Sequence, residues 1–572
     1  MQLFSIYDPD GHNGVGGRKY GVRIQADTAN LQKVQQWLWS CEMEHQSESW
    51  TCFPRQIPDS VFEILRIIDC RTRLIRPLAS GESYICLSYV WGTSAAASLR
   101  HGSTLVDELP KTIEDAIHVA KFLGTPQLWV DQCCIDQNDD HARAATIRSM
   151  DKIYGCASLT IIAASSGDAF GGLPGVRGTP RKQPYSIRIG SVDFVASTQS
   201  RNFLQRSRWA TRGWTYQEGL LSHRRLIFTD EQVYFQCGKE FHIEKLVSAV
   251  TLWTTGLGNT STIFPTVYFD VTSIIYTRLK EYFIRQLSYG TDSLAAFEGV
   301  INAHSHDESL WRPSPKHFYG IPIPFTQYYD SEFSPTKHLS AGLSWALTKP
   351  GAEQDRLHAS DATVARIPTW SWAWPKSRYC TKGNELMVSY CTPNRWTLCD
   401  SIEVSVRHKN GDEYNLDNIG RNTTLTDYSE FMAHIDITTH VIYSTSNCRS
   451  AIAELFETSS EAKWSASFFP DETVFQDGGE AIAIWLGQFV PLGESPVHGT
   501  KPKSLKSSNV FLVCRENIGQ GTYRRVGLWV VHDLMCDDSR PSKFLEVKDV
   551  ISRHLRAGSE IQYWGLKEVR LV

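Results

Sequence analysis

Two short apolar segments of this chain end abruptly in polar and reactive side chains. They read Tyr84-Ile-Cys-Leu-Ser-Tyr-Val-Trp-Gly92 and Leu128-Trp-Val-Asp-Gln-Cys-Cys-Ile-Asp-Gln137. A short apolar run bounded in this way favours a buried strand. In an open α/β sheet, ligands and chemistry collect just beyond the carboxyl ends of the strands. The two segments therefore constrain both the fold and the position of a site.

Helix and strand patterns alternate around these segments. One predicted helix begins at Thr112 and ends at Gly124, and a second begins at Asp139 or Asp140. Ser158–Ala164 is predicted to be a third apolar strand. Strands separated by amphipathic helices predict an α/β domain with a parallel sheet and right-handed crossovers.

The pattern divides the chain into three segments. Residues 1–75 are a lead-in with a helix near residues 27–44, and residues 76–240 are the α/β domain. Residues 241–572 mix predicted helices with short strands, which indicates an α+β region of one or two domains.

A tryptophan cluster marks the third segment. The chain contains 18 Trp residues, and Trp370, Trp372 and Trp374 alternate with Ser371 and Ala373. This alternation predicts a half-buried strand whose indoles belong to the core. An interaction surface is the alternative.

Composition excludes several classes of protein. Hydrophobic residues make up 41% of the chain and charged residues 21%, and the net charge of −4 offers no electrostatic attraction for nucleic acid or an anionic membrane. No stretch approaches the ~18 apolar residues of a membrane span, and no signal peptide is evident. We expect a cytoplasmic protein whose 14 cysteines are reduced thiols.

Polar or aromatic residues, and one glycine, follow the three predicted strands. They are Ser88, Tyr89, Trp91 and Gly92 after the first strand, Asp131 after the second, and Ser165, Ser166 and Asp168 after the third. Because the carboxyl ends of parallel strands meet at one edge, these groups would form a rim that can bind a polar aromatic ligand such as a nucleotide. Alternatively, Asp131 caps a helix and Trp91 belongs to the core.

A third segment, Ser207-Arg-Trp-Ala-Thr-Arg-Gly-Trp-Thr-Tyr-Gln-Glu218, is dense in groups that bind and react. Glu218 follows Trp214 by four residues and therefore lies on the same helical face. A carboxylate beside an aromatic wall loses solvation, so its pKa rises, and such a group can assist cleavage of a glycosidic bond. Arg212 and Trp214 are candidate ligand contacts. The alternative is an Arg–Glu surface pair with both tryptophans packed inward.

Two cysteines suggest a different chemistry. Cys133 and Cys134 follow Asp131, with His141 nearby in sequence, which allows a cysteine nucleophile. Free cysteine is more often a small buried hydrophobe.

A second group of thiols precedes the α/β domain. Cys41, His45 and Cys52 could supply three zinc ligands, since residues four apart share a helix face. The sequence shows no fourth ligand nearby, so we expect burial of a helix end and no metal site.

The three segments together resemble the fungal heterokaryon-incompatibility (HET) domain. The matching blocks are Leu87–Gly92, Leu128–Gln137 with Met150–Tyr154, and Arg212–Ser222, while Asp136 stands where the family more often has Asn. The resemblance implies a fungal source and a role in non-self recognition and programmed cell death when genetically different cells fuse. It also implies protein partners or self-association.

HET domains are in turn similar to TIR domains, which are flavodoxin-like. NAD-cleaving TIR domains have a Ser-Tyr pair on the first strand and a Trp-x-x-x-Glu element, and Ser88-Tyr89 and Trp214–Glu218 fall in the same order. The resemblance implies that Glu218 is catalytic in an NAD nucleosidase, that Ser88, Tyr89, Trp91 and Asp131 line the pocket, and that no cofactor is required beyond NAD as substrate.

Fold alone does not establish that activity. A non-enzymatic signalling adaptor is one alternative. An accessory protein of fungal metabolism that uses Cys133 or Cys134 as nucleophile is another.

Overall fold

The computed structural model divides the chain into two compact units, Met1–Val267 and Tyr268–Val572, each with a hydrophobic core of its own. The predicted division into three segments stays a prediction. The residues that the structure describes are 2–5, 24–25, 27–45, 52–92, 99–182, 186–190, 192–197, 204–246, 250–251, 264, 271–305, 314–325, 334–349, 367–378, 385–389, 391, 396–398, 402–419, 430–444, 464–471, 481–489, 508–517, 520–533 and 561–572.

The first unit alternates short strands with helices. Its strands are β1 Gln2–Ser5, β2 Arg66–Asp69, β3 Leu74–Pro77, β4 Ile85–Ser88, β5 Arg100–His101, β6 Thr104–Leu105, β7 Gln127–Trp129, β8 Leu159–Ala163, β9 Ser186–Ile189, β10 Val192–Ser197, β11 Arg225–Phe228, β12 Val233–Gln236, β13 Glu240–Ile243 and β14 Val250–Thr251. Its helices are α1 Leu31–Glu44, α2 Asp59–Phe62, α3 Lys111–Phe122, α4 Asp131–Cys134, α5 Asp140–Arg148, α6 Met150–Cys156, α7 Arg208–Thr211 and α8 Trp214–Leu221.

An 11-stranded mixed sheet forms the centre of this unit. Its order is β14-β13-β12-β11-β8-β4-β7-β2-β3-β6-β5. The neighbours β11, β8, β4 and β7 run parallel, whereas the strands on both sides of them pair antiparallel. The predicted α/β class and the three parallel apolar strands are confirmed. The antiparallel flanks were not predicted.

Burial explains why the parallel strands read as continuous apolar runs. Every residue of β4, β8 and β11 is buried. Helix α3 packs on β4 and β7, and α8 packs on β4 and α6. Strands buried on both faces have no solvent side on which polar residues could alternate.

A capping side chain and a glycine determine where two of the helices begin and end. Helix α1 begins after Asn30, whose side-chain oxygen accepts a hydrogen bond of 2.9 Å from the backbone N–H of Lys33. Helix α3 ends before Gly124, which has a φ of +86° that favours glycine. The single helix predicted after Asp139 is instead two helices, α5 and α6, with a break at Ser149.

The second unit is rich in strands. Its strands are β15 Ser314–Phe318, β16 Ile321–Phe325, β17 Ala346–Leu347, β18 Leu386–Met387, β19 Trp396–Leu398, β20 Glu403–His408, β21 Glu413–Asn415, β22 Phe431–Ser444, β23 Trp464–Pro470, β24 Ala481–Phe489, β25 Ser508–Asn517, β26 Thr522–Asp533 and β27 Ile561–Leu571. Its helices are α9 Val271–Phe283, the 3-10 helix Gly290–Ser293, α10 Ala295–Ser305, α11 Pro335–Gly342, α12 Ala373–Arg378 and α13 Leu416–Ile419.

A nine-stranded, mainly antiparallel sheet organises this unit. Its order is β19-β24-β25-β26-β27-β22-β20-β21, with β23 paired to β26. A further pairing of β22 with β24 closes five of these strands into a ring. The β-rich character predicted for this part of the chain is confirmed.

The tryptophan cluster lies in the core, as predicted, but not in a strand. Trp370, Trp372 and Trp374 are all buried. They occupy a turn and the start of α12. The Trp372 indole N–H donates a 2.8 Å hydrogen bond to the carbonyl of Gly320. The predicted strand was wrong because alternate residues of a turn can also be buried. The alternation of Trp with small residues therefore does not distinguish a turn from a half-buried strand.

Among the residues that the structure describes, no helix is both long enough and apolar enough to cross a membrane.

A buried ion pair holds the second unit together around Arg525. The Arg525 guanidinium is 2.9 Å from Asp471, and both side chains are almost fully buried. It also donates to the carbonyls of Leu343 and Trp345 and lies 3.3 Å from the centre of the Trp345 ring. One side chain thereby binds groups from two other segments of the chain.

We predict that Arg525→Met lowers the free energy of unfolding of the second unit by about 3–5 kcal/mol, because it leaves the Asp471 carboxylate buried without its cation. Urea denaturation of the full chain, followed by tryptophan fluorescence, measures the loss. The neighbouring Arg524→Met, at a half-buried position, is the control. The double variant Arg525→Met/Asp471→Leu should recover part of the stability, and an unchanged unfolding midpoint in the single variant would contradict the prediction.

Candidate functional site

The carboxyl ends of β4, β7 and β8 meet at one edge of the sheet. Ser88 is the last residue of β4, Asp131 begins α4 just after β7, and Ser165 follows β8. Because β4 pairs in parallel with both β7 and β8, the three ends are neighbours, as the sequence predicts. The Arg212 guanidinium donates a 3.2 Å hydrogen bond to the carbonyl of Tyr89, which brings the third segment to the same edge.

A buried hydrogen-bond network lies at the centre of this edge. The Ser88 hydroxyl donates to a Glu218 carboxylate oxygen at 2.5 Å and accepts from the Trp209 indole N–H at 2.7 Å. Glu218 is 4% exposed, and Ser88 and Trp209 are fully buried. The network joins the first parallel strand to helices α7 and α8.

Helix α8 is also anchored to the neighbouring strand. The Ser222 hydroxyl lies 2.7 Å from the carbonyl of Glu218 and 2.6 Å from the hydroxyl of Thr160, which belongs to β8. The backbone that carries Glu218 is therefore fixed against β8 while its carboxylate reaches β4.

Two carboxyl groups in this region have raised pKa values. Burial, together with the charge of Asp131, raises the pKa of Glu218 to about 7, against the effects of Ser88, Arg212 and Tyr154, which lower it. Burial also raises the pKa of Asp131, to about 6, although the backbone N–H of Gln132 donates to it at 2.7 Å. Close to neutral pH this pair carries fewer than two negative charges.

A second group of side chains at this edge forms what we call the outer wall: Tyr89, which is buried, and Trp91, Asp131 and Gln132, which are half-buried. The Trp91 indole donates a 2.9 Å hydrogen bond to Asp131, and the Tyr89 hydroxyl donates a 2.8 Å bond to Gln132. Gly92 has a φ of +95°, and a Cβ there would lie 2.9 Å from that of Asp168. Only glycine fits this turn without strain.

Hydrogen bonds join six of the predicted site residues into two neighbouring sets. Ser88 bonds to Glu218, and Tyr89, Trp91, Asp131 and Arg212 are linked directly or through Gln132. Trp91 and Trp214 also pack against the main core of the first unit, and Ser165 is half-buried. The alternative of an exposed Arg–Glu pair is wrong, because Glu218 is buried and bonded to Ser88. The ligand-binding and catalytic roles of these residues stay predictions.

Sequence reasoning missed two residues close to Glu218: Trp209, whose indole donates to Ser88, and Tyr154. Trp209 lies in the third segment but does not share the helical spacing that singled out Trp214. Tyr154, on α6, lies near Glu218 and lowers the pKa of its carboxyl group, while its hydroxyl donates a 3.3 Å hydrogen bond to the carbonyl of Leu87. The position of Tyr154 within the Met150–Tyr154 block was a signal for family membership and gave no direction for its hydroxyl.

The two adjacent cysteines are buried rather than presented to solvent. Cys133 and Cys134 are 0% and 5% exposed, whereas His141 is exposed. The Cys134 sulfur accepts a hydrogen bond from the backbone N–H of Val130 at 3.4 Å. This environment suits small buried hydrophobes and does not favour a reactive thiolate.

Comparison with known proteins identifies the family of the segment that contains the site. Residues 84–218 match the family model described as heterokaryon incompatibility protein (HET). This segment is a HET domain. The match begins at Tyr84, just before β4, and ends at Glu218, so the whole hydrogen-bonded site lies inside the domain.

A curated relative is similar over part of this region. Heterokaryon incompatibility protein 6, OR allele, of Neurospora crassa is 29% identical to the chain over 100 residues. The similarity covers 15% of this chain and 15% of the relative, so the chain spans only a small part of the length of that protein. No solved structure matches the chain.

The raised pKa of Glu218 predicts a dependence of stability on pH. A carboxyl group whose pKa is higher in the folded than in the unfolded state weakens folding once it ionises, so stability falls as pH rises from 4.5 to about 7. Glu218→Gln cannot ionise and should lack this fall. The free energy of unfolding of the variant, relative to the wild type, should therefore increase by roughly 3 kcal/mol across that window.

Urea denaturation at a series of pH values measures this difference. The exposed Glu108→Gln is the matched control and should show the pH profile of the wild type. Parallel profiles for wild type and Glu218→Gln would show that Glu218 has no raised pKa in the folded protein.

Proposed function

We propose that this HET-domain protein acts in fungal non-self recognition and programmed cell death by cleaving NAD between nicotinamide and ribose, with Glu218 as the catalytic carboxylate. The observation that carries the proposal is the buried Glu218–Ser88 pair, with its raised pKa, at the carboxyl ends of parallel strands. A desolvated carboxylate in that position can stabilise a developing cation far better than one in water.

The reaction needs only one such carboxylate and water. When the bond between the ribose carbon and the nicotinamide nitrogen breaks, its electron pair stays with nicotinamide, which leaves as a neutral molecule. The remaining oxocarbenium ion is stabilised by ionised Glu218. Water then adds to the same carbon and releases a proton, so the products are nicotinamide, ADP-ribose and one proton.

The outer wall and Arg212 offer contacts of the right chemistry for the rest of a dinucleotide. The Arg212 guanidinium suits a pyrophosphate, the Trp91 indole suits stacking, and the Asp131 carboxylate suits ribose hydroxyls. All three side chains are half-buried and surround the edge at which Glu218 lies. This arrangement supports a nucleotide as the ligand class.

A distant likeness to TIR domains is part of the proposal. The parallel core of β11, β8, β4 and β7 and the order of Ser88-Tyr89 before Trp214–Glu218 support it. In this interpretation Ser88 holds the catalytic carboxylate at the end of the first strand.

Activation must open the site. Because Glu218 is 4% exposed and Ser88 is fully buried, a substrate reaches them only if the hydrogen bonds of the wall rearrange. Self-association or a protein partner would supply that change, as lids and loops do in other enzymes. The proposal therefore describes a cytoplasmic protein that is silent until it is triggered.

The test is nicotinamide release from NAD by the purified full chain, both free and forced to oligomerise by a fused coiled coil. We predict release by the oligomerised wild type and at least a 100-fold lower rate for Glu218→Gln, with Glu108→Gln unchanged. Because the ionised carboxylate is the active form, kcat/KM should rise with pH through about 7.

The same experiment separates the competing functions. Absence of release from the folded, oligomerised wild type would leave the domain as a non-enzymatic adaptor, in which the buried Glu218 network has only a structural role. Release that survives Glu218→Gln but disappears in Cys134→Ser would favour the cysteine-dependent accessory role.

A further inference from the structure

Four side chains with metal-ligand chemistry converge on one buried point of the first unit. Cys41 lies in the last turn of α1, His45 directly follows that helix, Cys52 lies in the segment before α2, and Cys237 directly follows β12. All four are buried, and their ligand atoms lie within 4.8 Å of one another. The first three are the residues for which the sequence showed no fourth partner. The fold supplies it from nearly 200 residues further along the chain.

The spacing of these atoms matches a tetrahedral zinc centre. With Zn–S bonds of about 2.3 Å and Zn–N bonds of about 2.0–2.1 Å, a tetrahedron has S–N edges of roughly 3.6 Å. The Nδ1 atom of His45 is 3.4 Å from the sulfur of Cys52 and 3.7 Å from the sulfur of Cys237. The four atoms therefore need only small shifts to bind one ion.

The other ring nitrogen of His45 faces a carboxylate. Its Nε2 atom lies 4.0 Å from Glu240, which is also 3.1 Å from His242. The backbone N–H of Glu240 donates to the sulfur of Cys237 at 3.3 Å. A carboxylate behind a histidine ligand and an N–H bond to a cysteine sulfur are the outer contacts that orient ligands in zinc sites.

A buried cation lies beside the cluster. Arg224 is 2% exposed and interacts electrostatically with Cys41. One nitrogen of its guanidinium lies 3.1 Å from Glu42, but its Nε and second terminal nitrogen have no hydrogen-bond partner among the described residues. Zinc with three thiolates and one neutral imidazole has a net charge of −1, which would compensate this guanidinium.

We propose that Cys41, His45, Cys52 and Cys237 bind one Zn²⁺ ion in a closed structural site. Three soft thiolates and an imidazole select zinc over the oxygen-preferring Mg²⁺ and Ca²⁺. Four protein ligands leave no position for water or substrate, so the ion stabilises and does not catalyse. All four ligands lie outside the matched residues 84–218, three before them and one after.

The zinc would connect the lead-in to the sheet. It ties the end of α1 and the Cys52 segment to the turn between β12 and β13, next to the contact in which Trp37 stacks on His242 with ring centres 5.2 Å apart. The HET domain would then depend on sequence on both sides of its family match.

The test is metal analysis of the full chain purified under reducing conditions with zinc in the medium. We expect close to one zinc per chain by inductively coupled plasma mass spectrometry, and loss of most of it in Cys52→Ser and Cys237→Ser. Cys70→Ser and Cys156→Ser, which change buried cysteines outside the cluster, should retain it. Cobalt substitution should give the visible absorption of a tetrahedral thiolate site.

Two further measurements cover variants that fold poorly. His45→Cys keeps four soft ligands, so it should retain the metal and change the cobalt spectrum. A chelator should lower the Tm of the wild type and leave Cys237→Ser unaffected. Wild-type protein without stoichiometric zinc, or zinc that persists in both cluster variants, would overturn the proposal, as would a disulfide within the cluster in metal-free native protein. None of these outcomes depends on NAD cleavage.

Discussion

The first unit depends on how it accommodates one carboxyl group in its interior. Glu218 lies 130 residues from Ser88 along the chain, yet their side chains share a hydrogen bond of 2.5 Å. A buried carboxylate without partners would cost several kcal/mol, so the surrounding structure must supply donors and must hold them in place. Ser88 on β4 donates to the carboxylate, and Trp209 on α7 in turn donates to Ser88. Tyr154 on α6 donates to the carbonyl of Leu87 on β4. The position of β4 relative to α6, α7 and α8 is thereby set by polar contacts as well as by packing.

Sequence patterns could predict which residues lie at the edge of the sheet, but not which side chains bond to one another in its buried interior. The strand-end positions of Ser88 and Asp131 follow from short apolar runs, and parallel pairing brings their ends together. Helical spacing gave Glu218 the correct face of α8. It could not show that the indole bonded to the network is that of Trp209, because the direction of a side chain on α7 depends on how two short helices pack.

Contacts between distant parts of the chain account for what the sequence could not predict. The His45 ring and the Cys237 sulfur are 192 residues apart in sequence and 3.7 Å apart in space. Local spacing predicts only ligands that share one helix or turn, so the cluster was incomplete as read from residues 41–52. In the same way, Trp370 and Trp372 were correctly placed in the core but in the wrong element, since burial is a property of the tertiary fold.

One continuous stretch of chain connects the candidate active site with the proposed zinc site. Helix α8 carries Glu218, and the chain then passes through β11 and β12 to Cys237. The hydrogen bonds that hold the Glu218 carboxylate run through Ser88 on β4 and Trp209 on α7, and neither element provides a zinc ligand. Loss of the metal should therefore loosen the lead-in and the β12–β13 hairpin while the buried carboxyl keeps its raised pKa. The two sites share a sheet, but each is held by its own contacts.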